Sequence, residues 1–256
     1  MSDHRLAIYP SLAGRTVFIS GGASGIGEAL VRAFAAQGAK VGFVDIAAEA
    51  GRDLAEEVAS AGAEVRFAAC DVTDTPALQA AITGIAGALG PIGVLVNNAA
   101  NDTRHDWRTE TSESWDARIA VNLKHFFFAI QMVAPGMIAA GGGSIVNFGS
   151  ISWMLARGEM PVYTTSKAAV HGMTRSFARD LGAHRIRVNT VAPGWVMTER
   201  QLKLWFDEEG ERELKKSQCL PDRLQPDDLA GMVLFLASDD SAMISAQTFI
   251  VDGGWV

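Results

Sequence analysis

The chain has 256 residues, 48% of them hydrophobic, enough for one large core and a better fit to a single α/β domain than to two small ones. Its formal net charge is -7 and its basic residues are scattered, so a small-molecule ligand is expected rather than a nucleic acid or an anionic membrane. Cys70 and Cys219 match no metal or redox spacing, and the five histidines (His4, His105, His125, His171, His184) form no His-x-x-x-His pair, so no metal site is expected. The start, Met1 to Leu6, has no apolar stretch of a signal peptide. The most apolar run, 126–140, contains Gln131, Pro135 and Gly136, which marks a buried helix and its end rather than a membrane span, and a cytoplasmic protein is expected.

Thr16 to Ser20 reads as a buried strand that empties into Gly21-Gly22-Ala23-Ser24-Gly25-Ile26-Gly27, with a helical pattern following from Glu28 to Gln37. Glycines there let the backbone turn tightly and approach a pyrophosphate, and the helix N-terminus aims N–H groups and its positive dipole end at it. The spacing Gly-x-x-x-Gly-x-Gly lacks the Lys-Ser/Thr of a nucleoside triphosphate loop, which excludes an ATPase of that type. A second strand, Lys40 to Asp45, ends in a carboxylate 18 residues after Gly27. Such an acid accepts hydrogen bonds from both adenosine ribose hydroxyls and repels a 2′-phosphate. No Arg or Lys lies between Gly21 and Gly27 or between Ile46 and Gly51 to neutralise that phosphate, so NAD is favoured over NADP.

An amphipathic helix from Ala48 to Ala61 precedes the strand Glu64 to Ala69 and Asp71-Val72, whose carboxylate is placed to receive an adenine amino group. A helix from Pro76 to Leu89 and a strand from Ile92 to Val96 follow, ending in Asn97-Asn98-Ala99-Ala100. This alternation predicts a single-domain, Rossmann-type doubly wound parallel sheet over 1–256, with its ligand at the strand C-terminal ends.

Tyr163 and Lys167 are four apart in a helical run and share one face. A phenol titrates near pH ~10 and becomes a usable proton acceptor near neutrality only beside a cation. Thirteen residues upstream, Ser150 follows the strand Ser144 to Phe148 and can offer a hydroxyl to the same reacting oxygen. The strand Arg187 to Val191 leads to Pro193-Gly194-Trp195-Val196-Met197-Thr198. The charged segment 198–217, broken at Gly210, reads either as a mobile lid over a substrate or as a solvated helix pair. A helix from Asp227 to Ala237 and a strand from Thr248 close the chain.

From Thr16 to Gly254 the chain resembles the short-chain dehydrogenase/reductase family. The resemblance rests on Gly21-x-x-x-Gly25-x-Gly27, Asp71-Val72, Asn97-Asn98-Ala99, Asn122, Ser150, Tyr163-x-x-x-Lys167 and Pro193-Gly194. It implies that Tyr163 is the general acid/base and that Ser150 holds the substrate oxygen. Lys167 would bind the nicotinamide ribose and lower the Tyr163 pKa, and Asn122 would position a relaying water. Cofactor contacts are expected from Gly21, Ser24, Gly25, Ile26, Gly27, Asp45, Ile46, Asp71, Val72, Asn98, Tyr163, Lys167, Pro193, Val196 and Thr198. A homotetramer, with the helices of Asn122 and Tyr163 at an interface, is implied by the family alone. Ser20 and Ala100 depart from the usual Thr and Gly without replacing a reacting group.

The stretches 7–12, 101–105, 148–153, 200–201 and 218–220 are similar to those of bacterial aldose 1-dehydrogenases. Hydrogen-bonding residues suited to a sugar stand in these loops, and Asn101, Arg104, Ser150, Ser152, Glu159, Tyr163 and Trp195 are the expected substrate contacts. The expected reaction is NAD-dependent oxidation of an aldose at C1 to the aldonolactone. Two other readings stay open: an NAD-linked reductase or dehydrogenase of another alcohol or an oxoacyl substrate, and a non-catalytic NAD-sensing protein.

Overall fold

The structure, a computed structural model, describes residues 6–256. The signal-peptide reading at the chain start and His4 lie outside the described residues.

Seven strands form one all-parallel sheet in the order β3-β2-β1-β4-β5-β6-β7. They are β1 Thr16–Ser20, β2 Lys40–Asp45, β3 Val65–Ala69, β4 Ile92–Asn97, β5 Gly143–Phe148, β6 Ile186–Pro193 and β7 Thr248–Val251. Helices α1 Gly25–Ala36, α2 Ala48–Ser60, α3 Thr75–Leu89, α4 Ser112–Ile119, α5 His125–Ala139, α6 Pro161–Leu181, α7 Glu199–Leu204, α8 Glu208–Ser217 and α9 Pro226–Ala237 connect them. The strand order reverses between β1 and β4, and a crevice opens there at the C-terminal ends of both.

The pleat sends successive strand residues to opposite faces, and here both faces are buried. Val17 and Ile19 of β1 join Leu30, Phe34, Val233 and Leu234 on the face covered by α1 and α9. Phe18, between them in sequence, joins Leu78, Ile82, Ile130 and Met137 on the face covered by α3 and α5. Fully burying a side chain of this size contributes about 1.5–3 kcal/mol. This sandwiching explains why β1 is buried at every position, with Val17, Phe18 and Ile19 all apolar, instead of alternating.

Several element boundaries differ from the sequence expectation for identifiable reasons. Helix α1 begins at Gly25, inside the glycine turn, because Gly25 at φ 56° redirects the chain there. Residue Pro135 lies within α5 instead of ending it. The break expected at Gly210 falls at residues 205–207, where Asp207 caps α8 through Glu209 N and Gly210 N. Gly210 is helical and needed small for another reason: a Cβ there would come within 2.8 Å of the Trp195 ring. Asn122 sits in a π-helical turn, Ala120–Lys124, which widens the junction of α4 and α5.

No described helix is long and apolar enough to cross a membrane. Cys70 is buried, Cys219 is exposed, and both are free thiols.

Candidate active site

The floor of the crevice is the turn between β1 and α1. Gly21 adopts φ 70°, and a Cβ on it would meet the Ala99 backbone at 2.8 Å, so strand ends β1 and β4 approach as closely as glycine permits. A Cβ on Gly27 would collide with the Gly21 carbonyl oxygen. Asn98 fixes the turn by donating from Nδ2 to the carbonyls of Ser20 (3.1 Å) and Gly21 (2.9 Å), while Ser20 Oγ accepts from Asn98 N and Ala99 N. Ser24 stands at the N-cap of α1 without using its hydroxyl as a cap, leaving that hydroxyl and the amides of Gly25 and Ile26 free of a side-chain acceptor. The cradle fits a pyrophosphate in both shape and donor chemistry.

Asp45 lies at the end of β2, beside this turn. Its Oδ2 accepts from Ala23 N at 3.0 Å and its Oδ1 from Ala47 N at 2.9 Å, which aims the carboxylate at the crevice and leaves lone pairs for ribose hydroxyls. Ile46, next to it, is exposed. Asp71 curls into its own turn by accepting from Thr73 N and Oγ1, and Val72 is buried beneath. On the opposite wall, Pro193 ends β6, Val196 is buried, and Thr198 caps α7 through Gln201 N. The Thr198 methyl would stand 3.0 Å from a Cβ on Gly25, so the two walls nearly touch over the turn.

Ser150, Tyr163 and Lys167 converge above this cradle. Tyr163 lies in the first turn of α6, half-buried, with Ser150 close enough for its hydroxyl to hydrogen-bond the phenol. Ser150 is itself oriented by Ser152 N, which donates to its Oγ at 3.1 Å. Lys167, 1% exposed, extends under Tyr163 with Nζ 5.7 Å from the phenol ring centroid and donates to the Phe148 carbonyl at 2.8 Å. Burial pushes the Lys167 ammonium down to about 7, partly offset by Asp102. Burial likewise pushes the Tyr163 phenol above its ordinary value, Asp102 adds to that, and Ser150 and Arg104 oppose it. The cations acting on the phenol thus include Arg104, whereas Lys167 is turned toward the β5 carbonyl. Asn122 is fully buried and satisfied: Oδ1 accepts from Asn101 N, and Nδ2 donates to the carbonyls of Asn101 and Arg118.

The expected substrate residues divide into two groups. Asn101, Arg104, Ser150, Ser152 and Tyr163 cluster at the ends of β4 and β5 and the start of α6. Arg104 bonds the Asp102 carbonyl at 3.3 Å and the Met160 sulfur at 3.5 Å, and Ser152 Oγ is buried without a hydrogen-bond partner. Trp195 does not stand free as a sugar platform. It packs on Phe206 at 5.3 Å and beneath Arg157 at 5.3 Å, and donates Nε1–H to Gln201. Glu159 uses its backbone, at φ 66°, to accept from His105 N. Its exposed side chain borders a cavity of about 350 Å³ shared with Leu155, Arg157, Glu213 and Trp255.

Segment 198–217 is fastened over the crevice. Arg200 donates to Thr103 Oγ1 at 2.8 Å, Gln201 Nε2 donates to Asp102 Oδ2 at 2.7 Å, and Arg104 lies 4.8 Å over the Trp205 ring. Asp102 was expected only as one polar residue of the 101–105 loop, and Gln201 was not among the expected contacts. Their pairing spans 99 positions, and no local spacing announces it. Another overlooked group is His171, one turn beyond Lys167, which accepts from Trp153 Nε1 at 3.0 Å and faces Thr248 Oγ1 at 2.8 Å.

Residues 21–256 match the family model described as enoyl-(acyl carrier protein) reductase. Among curated proteins, the chain is 50% identical over 247 residues to a probable galactose dehydrogenase of Rhizobium meliloti, covering 96% of each. It is 47% identical over 249 residues to the D-xylose 1-dehydrogenase of Caulobacter vibrioides, covering 97% of this chain and 98% of that protein. A solved 7α-hydroxysteroid dehydrogenase in complex with NADH and 7-oxo glycochenodeoxycholic acid is 32% identical with a TM-score of 0.93, over 97% of this chain and 96% of that one. A blue fluorescent protein from a metagenomic library in complex with NADPH is 34% identical with a TM-score of 0.89, over 96% of this chain and 99% of that one.

Proposed function

Because the chain belongs to the short-chain dehydrogenase/reductase family, we propose that it is an NAD-dependent aldose 1-dehydrogenase that oxidises a free sugar at C1 to the aldonolactone. The observation that carries this reading is the meeting of Ser150, Tyr163 and Lys167 above a glycine cradle, walled by polar side chains from 101–104 and 200–201. The two sugar dehydrogenases similar over nearly the whole chain support the substrate class.

A bound nicotinamide dinucleotide supplies the hydride acceptor. Gly21, Ser24, Gly25, Ile26, Gly27 and Asn98 hold its pyrophosphate, Asp45 with Ile46 the adenosine ribose, Asp71 and Val72 the adenine, and Pro193, Val196 and Thr198 the nicotinamide end. Tyr163 takes the proton of the C1 hydroxyl, Ser150 hydrogen-bonds the same oxygen, Arg104 supplies the positive charge that favours the phenolate, and Lys167 lies against the phenol ring. Asn122, whose amide is committed to Asn101 and Arg118, keeps the 101–104 loop against the site and leaves one Oδ1 lone pair for a water. Asp45, with no basic residue between Ile46 and Gly51, favours NAD over NADP.

The same reading takes the enzyme as a cytoplasmic homotetramer; exposed Trp115 of α4 and Phe127 of α5 suit an interface between copies, and light scattering tests it. The substrate is tested by following NADH formation with D-xylose, D-galactose, L-arabinose, D-glucose and L-fucose. Turnover of at least one of them is expected. A panel with no active aldose, together with turnover of an oxoacyl thioester, would replace this reading by the reductase one.

A further inference from the structure

Helix α6 carries Tyr163 in its first turn, yet its N-cap residue, Met160, provides no side-chain acceptor. The first amides of a helix have no partner inside it and must find one elsewhere. Pro161 has no N–H, and Thr164 N reaches back to the Met160 carbonyl at 2.9 Å. The Val162 amide, adjacent to Tyr163, is taken by a side chain 57 residues away: it donates to His105 Nε2 at 3.2 Å.

This contact determines the state of the imidazole. A backbone N–H can only donate, so His105 Nε2 must be the bare nitrogen and Nδ1 must carry the proton, which it gives to the Thr103 carbonyl at 3.2 Å. An imidazolium would lose the acceptor and place positive charge at the positive end of α6. The backbone of the same residue holds the segment that leads into the helix: His105 N donates to the Glu159 carbonyl at 2.7 Å. Glu159 stands at φ 66°, a conformation costly for a residue with a side chain and kept only where neighbours enforce it. Arg104 touches the N-cap Met160 at its sulfur. Arg118, paired with Glu110, donates to the same Thr103 carbonyl that His105 Nδ1–H uses. Arg104, Arg118 and Glu110 are charged groups carried by the segments packed around the ring.

We propose that His105, as the neutral Nδ1–H imidazole, is a positioning residue for Tyr163: it caps the catalytic helix from the loop after β4 and ties the height of the phenol to the seating of residues 101–105. Because Arg200 and Gln201 fasten that same loop, closure of α7 is transmitted through Thr103 and His105 to the residue before Tyr163. The inference rests on Tyr163 being the proton acceptor.

The test compares His105→Ala with His105→Gln, whose amide oxygen can take the place of Nε2. His105→Ala is expected to lower kcat for the sugar about 10- to 100-fold, as a small misplacement of a reacting group does, with NADH affinity unchanged within about twofold. His105→Gln should recover most of that loss. On the wild-type protein itself, 15N chemical shifts of the histidine rings, with His105 assigned by the resonance missing from the Gln variant, should give protonated Nδ1 and bare Nε2 at neutral pH. An Ala variant with wild-type kcat, a Gln variant as slow as Ala, or the opposite tautomer would each overturn the proposal. Should Tyr163→Phe remain active, the reading of Tyr163 fails instead, while the ring tautomer and the cap stay as described.

Discussion

Lys167 points its Nζ at the Phe148 carbonyl oxygen, 2.8 Å away, while remaining 5.7 Å from the centre of the Tyr163 ring. The ammonium is almost wholly buried, and burial outweighs the attraction of Asp102, so its pKa falls to about 7. In the unfolded chain a lysine titrates near ~10.4. Between these values the unfolded state binds more protons than the folded one, so folding stability rises with pH across that window. Each pKa unit is worth about 1.4 kcal/mol. Urea unfolding of wild type and Lys167→Met at pH 7, 8 and 9 is expected to show the wild type gaining stability relative to the variant as pH rises. Parallel curves would mean that Lys167 titrates normally in the fold.

Replacing Tyr163 by Phe removes the proposed proton acceptor and little else, because Ser150 Oγ keeps its bond from Ser152 N and the helix cap involves only Val162 N. Turnover should fall by about 10²–10⁴-fold with NADH binding retained. Steady-state kinetics and NADH fluorescence titration give the two numbers. Retention of more than a tenth of the activity would remove Tyr163 from its role.

Asp45 holds the turn, since Ala23 N and Ala47 N both donate to it, in addition to its proposed role at the adenosine ribose. The double substitution Asp45→Ala with Ile46→Arg should shift the ratio of kcat/KM for NADP over NAD upward by about tenfold or more, each decade corresponding to about 1.4 kcal/mol. It should also lower stability by about 1 kcal/mol through the lost backbone partners. A wild type already faster with NADP contradicts the assignment directly.

Gln201 bridges Asp102 and Trp195, donating to one and accepting from the other. Gln201→Leu breaks both bonds and leaves Asp102 held by Arg200 at 3.4 Å and Arg104 at 3.6 Å. The expected outcome is a KM for the sugar raised about tenfold, with KM for NAD nearly unchanged and faster amide hydrogen exchange confined to 198–217. Equal loss for both ligands would show that the bond supports the cofactor wall.

The sheet, the glycine turn, the strand-end carboxylates and the Ser150, Tyr163 and Lys167 set were all legible in the sequence, because each depends on short spacings. Apolar runs of five or six residues make buried strands, glycines at fixed intervals admit a phosphate, and a four-residue separation puts two side chains on one helix face. What the sequence could not carry were contacts between distant loops. Gln201 meets Asp102 across 99 positions, and Val162 meets His105 across 57, because parallel strands collect their C-terminal ends at one edge regardless of chain distance. The same is true of charge. Tyr163 and Lys167 look, in sequence, like a phenol and its cation, but burial raises the first and lowers the second, and Asp102 and Arg104 enter from another strand's loop. Desolvation and through-space fields follow from the packed arrangement alone, so the residues present were determined by the sequence and their working protonation states by the tertiary structure.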